Sequence, residues 1–184
     1  PTDSLINFAA FVSFFPQLVA GPIERAAHLL PQFSTRRKFD FESAKSGIRL
    51  IVWGLFKKIV IADTLAPIVD SIFETYTEQS GITLIIGSIL FAFQIYGDFS
   101  GYSDIAIGSA KLFGFDLMSN FKFPYFARNI GEFWRRWHIS LSSWVKDYLF
   151  LPIVYRKIGS DAVLLSGTIF TFLILGLWHG AGWN

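Results

Sequence analysis

Two histidines stand where imidazole chemistry would be useful. His138 lies in residues 129–152 (NIGEFWRRWHISLSSWVKDYLFLP), and His179 directly follows an uncharged apolar run in LGLWHGAGWN. On a helical wheel Trp134, Trp137, His138, Leu141, Trp144, Val145 and Tyr148 share one arc, and Arg135, Arg136, Ser140, Ser143, Lys146 and Asp147 the other. That pattern predicts one strongly amphipathic helix lying in a membrane interface, with Trp as belt residues. His138 then sits mid-arc on the aromatic side, either as a hydrogen-bonded structural residue or as a reacting group. His179 is followed by Gly180, Ala181 and Gly182, which let backbone approach another group closely. Neutral imidazole takes a proton from a hydroxyl near pH 7, so two histidines suit proton transfer. No HExxH motif or comparable cluster points to a metal. His28, in RAAHLLPQ, reads as an exposed loop residue.

A third polar group lies in residues 96–117 (YGDFSGYSDIAIGSAKLFGFDL). Gly97, Gly101, Asp104 and Gly108 fall on one helical face, and small residues at such spacing allow close helix contact. Two readings stay open. Asp104 is hydrogen-bonded within a tight helix contact and Asp98 caps a helix, or a broken or re-entrant helix lines a polar route.

The elements that must position these groups are membrane helices. The chain has 184 residues, 52% hydrophobic, 18% aromatic and 16% charged, with no Cys. Soluble domains carry about 25% charged residues. Disorder, collagen and a disulfide scaffold are excluded. A net charge of +2 without a long basic run argues against nucleic-acid binding. Residues 162–178 and 82–96 are apolar runs near span length, and residues 5–19 form a third candidate. Residues 48–62 are interrupted by Arg49 and by Lys57 and Lys58. The two lysines cost a few kcal/mol each at mid-depth, so this segment ends at an interface or lies against protein and water. Residues 36–41 (RRKFDF) read as a basic loop favouring the cytoplasmic side. All periodicity is helical, so the fold class is all-α, a polytopic membrane protein with re-entrant or interfacial helices.

Taken together, residues 15–25 (FPQLVAGPIER), 96–108 (YGDFSGYSDIAIG), 133–152 (FWRRWHISLSSWVKDYLFLP) and 176–184 (GLWHGAGWN) resemble the membrane-bound O-acyltransferase family. The likeness is to its bacterial alginate O-acetyltransferase-like branch and runs over nearly the whole chain. It implies a multi-pass enzyme of the bacterial inner (cytoplasmic) membrane, with residues 1–184 the central part of a single membrane domain truncated at both ends. Catalysis falls to His179 and His138. Asp98, Ser100, Tyr102, Asp104, Trp134 and Trp137 would line the tunnel, and Arg135 and Arg136 would meet the donor or lipid headgroups. No bound cofactor or metal is implied; acetyl-CoA or another acyl thioester is the donor substrate. Membrane lipids, a polysaccharide acceptor and a periplasmic acetyltransferase-like partner complete the picture, without nucleic acid. Two alternatives stand beside it: D-alanyl transfer to teichoic acid from a carrier-protein thioester, and a transporter or scaffold without acyl chemistry.

Overall fold

The computed structural model describes residues 4–19, 21–155 and 160–180, which are helical with no strand among them. They fall into two compact units, Pro1–Lys122 and Phe123–Asn184.

The first unit begins with α1 (Leu5–Val12), capped by the Ser4 hydroxyl, and α2 (Phe15–Leu18), which has Pro16 in its first turn. The run expected over residues 5–19 is thus broken and makes no single span. Next come α3 (Ala26–Ser34) and α4 (Phe41–Leu55), whose N-cap Asp40 accepts from the Glu42 N–H at 3.0 Å. A π-helical stretch, Phe56–Ala62, joins α4 to α5 (Asp63–Glu74). Then α6 (Gly81–Leu112) runs unbroken for 32 residues. It merges the predicted span 82–96 with the glycine-rich stretch behind it, so no re-entrant break occurs there.

Glycines set the contact between α4 and α6. A Cβ on Gly101 would stand 2.8 Å from the Gly54 carbonyl oxygen, and one on Gly54 would stand 2.6 Å from that of Gly101. Gly47 and Gly108 face each other likewise, at 2.7 and 2.5 Å. Pairing 47 with 108 and 54 with 101 makes the crossing antiparallel, with backbone against backbone as in close membrane-helix contacts. Gly101→Ala is expected to destabilise the full-length protein by about 1–3 kcal/mol through overpacking. Thermal unfolding in detergent measures this, and an unchanged midpoint would contradict it.

At its C-terminus α6 closes in a Schellman arrangement. The N–H of Phe115 donates to Ala110 O at 2.9 Å and that of Gly114 to Lys111 O at 3.0 Å, with Gly114 at φ 72°. The chain beyond is clamped to α3. Gln32 Nε2 donates to Asp116 O at 2.9 Å, and Asp116 N–H donates to Gln32 Oε1 at 2.8 Å. Buried Glu24 accepts from the Met118 N–H at 2.5 Å and lies 2.7 Å from His28 Nδ1. His28 is exposed as expected, but it is a helical, partnered residue rather than a loop residue. Phe14, Leu29, Ile107, Ala110, Phe115 and Leu117 form the core beneath.

In the second unit α7 (Ile130–Trp134) and α8 (Ile139–Val145) are followed by a π-helical stretch, Lys146–Phe150, and α9 (Leu151–Val154). The single amphipathic helix expected over residues 129–152 is interrupted at 135–138, where His138 takes φ 43°, ψ 54°. Finally α10 (Asp161–His179), 19 residues long, realises the predicted span 162–178. It and α6 are, among the described residues, the two helices long and apolar enough to cross a membrane.

Candidate functional site

The second unit holds both histidines. Asn129 caps α7 by accepting from the Glu132 N–H at 2.8 Å. Glu132 turns back to accept from Arg128 N–H at 2.9 Å and from Arg136 Nη2 at 2.5 Å. The Arg128 backbone N–H, helped by the Arg128 and Arg136 side chains against the cost of burial, holds this carboxyl at about 2, below its usual range. Its stabilising bonds are complete above the ordinary carboxylate range and fade as pH falls toward 2. Arg136 also reaches Phe123 O at 3.4 Å, so it is spent on fixing the turn; Arg135 is exposed.

That turn delivers His138. A left-handed backbone at a non-glycine residue costs about 1–3 kcal/mol and persists only where its surroundings enforce it. Here it separates α7 from α8 and makes His138 the residue that opens α8. The imidazole is half-buried, and burial holds it at about 4, well below 6.5; a charge on His179 pushes the same way. His138 thus lies within electrostatic range of a residue 41 positions away in sequence. His179 itself is exposed at the end of α10, with its ring 4.8 Å from that of Trp178. Ala181 and Gly182, read as allowing close backbone approach, lie outside the described residues.

Because the unfolded imidazole titrates near 6.5 and the folded one near 4, the unfolded state binds more protons between these values. Stability therefore rises with pH across that window. His138 should be uncharged throughout pH 5–8. In histidine-labelled full-length protein its Cε1–H resonance is expected to stay flat over that range, and a midpoint near 6.5 would contradict the burial argument.

Aromatic rings in this region form one cluster joined at Phe133. Trp137 stacks on Phe133 with centroids 5.6 Å apart and lies 6.1 Å from Tyr125. Trp134 meets the same Phe133 edge to face at 5.5 Å and Phe172 of α10 at 6.0 Å. The break after α7 separates the two tryptophans along the chain, but both keep contact with the Phe133 ring.

The polar residues of α6 belong to the first unit, and they are met by lysines. Lys57 Nζ lies 2.8 Å from Asp104 Oδ2 and donates to Ser100 Oγ at 2.9 Å. Lys58 Nζ lies 2.5 Å from Asp98 Oδ1 and 2.6 Å from Asp63 Oδ1. It also stands 5.4 Å from the Tyr102 ring centroid. Asp104 is thus ion-paired within the tight helix contact, and α6 carries no break. Asp98 lies inside α6 rather than at a cap. The two lysines lie against protein, one of the two placements expected for them, but their partners are not named by the sequence. The signal that could have placed them is the matched seven-residue spacing of Gly47 and Gly54 with Gly101 and Gly108. It sets the register that lays Lys57 and Lys58 beside Gly97 and Asp98, from where the long Lys57 side chain reaches Asp104.

The family model described as "MBOAT, membrane-bound O-acyltransferase family" matches residues 2–184. The chain belongs to the membrane-bound O-acyltransferase family. Among its relatives in that family, a probable alginate O-acetylase of Azotobacter vinelandii is 43% identical over 183 residues, covering 100% of this chain and 36% of the relative. A peptidoglycan O-acetyltransferase of Helicobacter pylori is 43% identical over 181 residues, covering 97% and 34%. A teichoic acid D-alanyltransferase of Bacillus subtilis is 29% identical over 182 residues, covering 92% and 45%. The chain spans about a third of the length of the first two relatives.

Proposed function

We propose that this chain is part of a larger membrane domain that moves an acetyl group from a cytoplasmic thioester donor to hydroxyls of an exported polysaccharide. The observation that carries the reading is the uncharged, half-buried His138 within electrostatic range of His179, on an all-α membrane-family chain. In the reaction His179 accepts the proton of the acceptor hydroxyl as its oxygen attacks the thioester carbonyl. The tetrahedral intermediate collapses, the C–S bond breaks, and the imidazolium returns the proton to the departing thiolate. Neutral His138 retains one N–H, which orients the acceptor or donates to the developing oxyanion. Trp134 and Trp137 form part of the wall, and exposed Arg135 attracts an anionic donor or lipid headgroup. Acetyl-CoA or another acyl thioester serves as donor, and a periplasmic partner hands the group to the polymer.

Acetyl rather than D-alanyl transfer is favoured by the 43% identity to the two acetyl-transfer relatives, against 29% to the D-alanyl one. The test uses membrane vesicles holding the full-length protein with its periplasmic partner, labelled acetyl thioester and a polysaccharide acceptor. Covalently labelled polymer is the expected product. Label that crosses the membrane without joining the polymer would replace this reading with transport.

A further inference from the structure

A second candidate site lies at the C-terminal end of α6. A cavity of about 390 Å³ opens there between the loop before α4 and the Schellman turn, lined by Arg37, Lys38, Asp40, Ser43, Lys111 and Phe113 among others. None of these residues takes part in the proposed acyl transfer.

Its charges are unevenly committed. Asp40 is engaged as the N-cap of α4, and exposed Asp116 stands 3.9 Å from His28 Nε2. Arg37 is held in place: its guanidinium lies 4.0 Å over the Phe115 ring, and Nη1 donates to Gln32 O. Lys38 and Lys111 make no hydrogen bond or ion pair with any described residue. Three cations therefore share one opening with two carboxylates, of which Asp40 is spent as the cap and Asp116 is largely turned to solvent, and the Ser43 hydroxyl adds a donor. Such a set suits a phosphate group.

Depth narrows the choice of phosphate. At 1.5 Å per residue the 32 residues of α6 extend about 48 Å, beyond a hydrocarbon core of about 30 Å. The polar C-terminal end of α6 then reaches the headgroup layer. Phe39 is 80% and Phe113 56% exposed at the same opening, apolar surface that a small soluble anion would leave in water. Arg36, Arg37, Lys38 and Lys111 cluster there, which favours the cytoplasmic leaflet, the one rich in anionic lipid.

We infer that the cavity formed by Arg37, Lys38, Ser43 and Lys111 binds the phosphate of an anionic phospholipid headgroup, with Phe39 and Phe113 against its glycerol and upper acyl region. The site anchors the α4–α6 pair at a defined depth.

Native mass spectrometry of the detergent-purified full-length protein tests this without reading acyl transfer. Wild type is expected to retain dioleoylphosphatidylglycerol and to prefer it over dioleoylphosphatidylcholine. Lys38→Gln combined with Lys111→Gln should reduce that retention about tenfold, since each basic group near the surface contributes to anionic-lipid attraction. The ammonium groups of these two side chains make no hydrogen bond or ion pair with any described residue, glutamine keeps the Lys111 stem that packs beside Gly47, and gel filtration checks that the variant is intact. Lys122→Gln, outside the cavity, should behave as wild type, and Lys38→Arg with Lys111→Arg should keep retention. Equal retention of both lipids, or undiminished phosphatidylglycerol in the double glutamine variant, would overturn the site. So would loss of the bound lipid to excess inorganic phosphate, which would assign the cavity to a soluble phosphate instead.

Discussion

Replacing His179 by Ala in the full-length protein is expected to lower polymer acetylation by about 10²–10⁴-fold, the contribution typical of a positioned general base. Protein abundance in the membrane should stay at the wild-type level. His179 is exposed at the end of α10, so its removal leaves no cavity in the described residues and strands no partner. His138→Ala should also depress transfer severely, but for a second reason as well. His138 occupies a left-handed backbone position and opens α8, and Ala tolerates that conformation less well. The two variants are therefore separable: the first acts on turnover alone, the second on turnover and on the fold of the second unit. Normal acetylation by His179→Ala at matched abundance would remove it from the reaction. Normal acetylation by His138→Ala would return that residue to a structural role.

The second large effect concerns the ion pair between the π-helical stretch and α6. Asp104→Ala should destabilise the full-length protein by about 3–5 kcal/mol, because it leaves a buried ammonium without its counter-charge. Lys57 is 6% exposed, and its other oxygen partner is the Ser100 hydroxyl at 2.9 Å. Restoring neutrality should recover much of the loss: Asp104→Leu with Lys57→Met exchanges a buried pair for apolar contact, a change that is often neutral or stabilising. Unfolding midpoints of the single and double variants in detergent measure the coupling. Additive effects with no recovery would show that the pair is not the source of stability. Lys58 with Asp98 and Asp63 makes a poorer target, since all three are partly exposed and exposed pairs contribute only about 0.2–1 kcal/mol.

Helix content and membrane character were legible from the residues, because apolar runs and the 3.6-residue period are local properties. The run at 162–178 became α10 nearly end to end. The boundaries of the other elements were less legible. The helical wheel over residues 129–152 weighed hydrophobicity alone. The break at 135–138 depends instead on Glu132 binding the Arg128 and Arg136 groups, and on a backbone conformation that no periodicity reveals. The run at 5–19 likewise looked continuous, but the chain bends where Pro16 opens a new turn.

The candidate histidines could be named from sequence because imidazole is rare in this chain and both stand beside apolar or aromatic runs. That His179 comes within electrostatic range of His138 could not, since the 40 residues between them carry no distance information. Composition and periodicity by themselves determined an all-α chain built for lipid, and the four motifs pointed to its family. Only the tertiary structure decided which polar groups meet. It set Lys57 against Asp104 and Lys58 against Asp98, and it gathered Arg37, Lys38 and Lys111 around one cavity. The physical reason is that a charge in low dielectric is governed by its nearest counter-charge, and that neighbour is chosen by helix register across a glycine contact rather than by order along the chain.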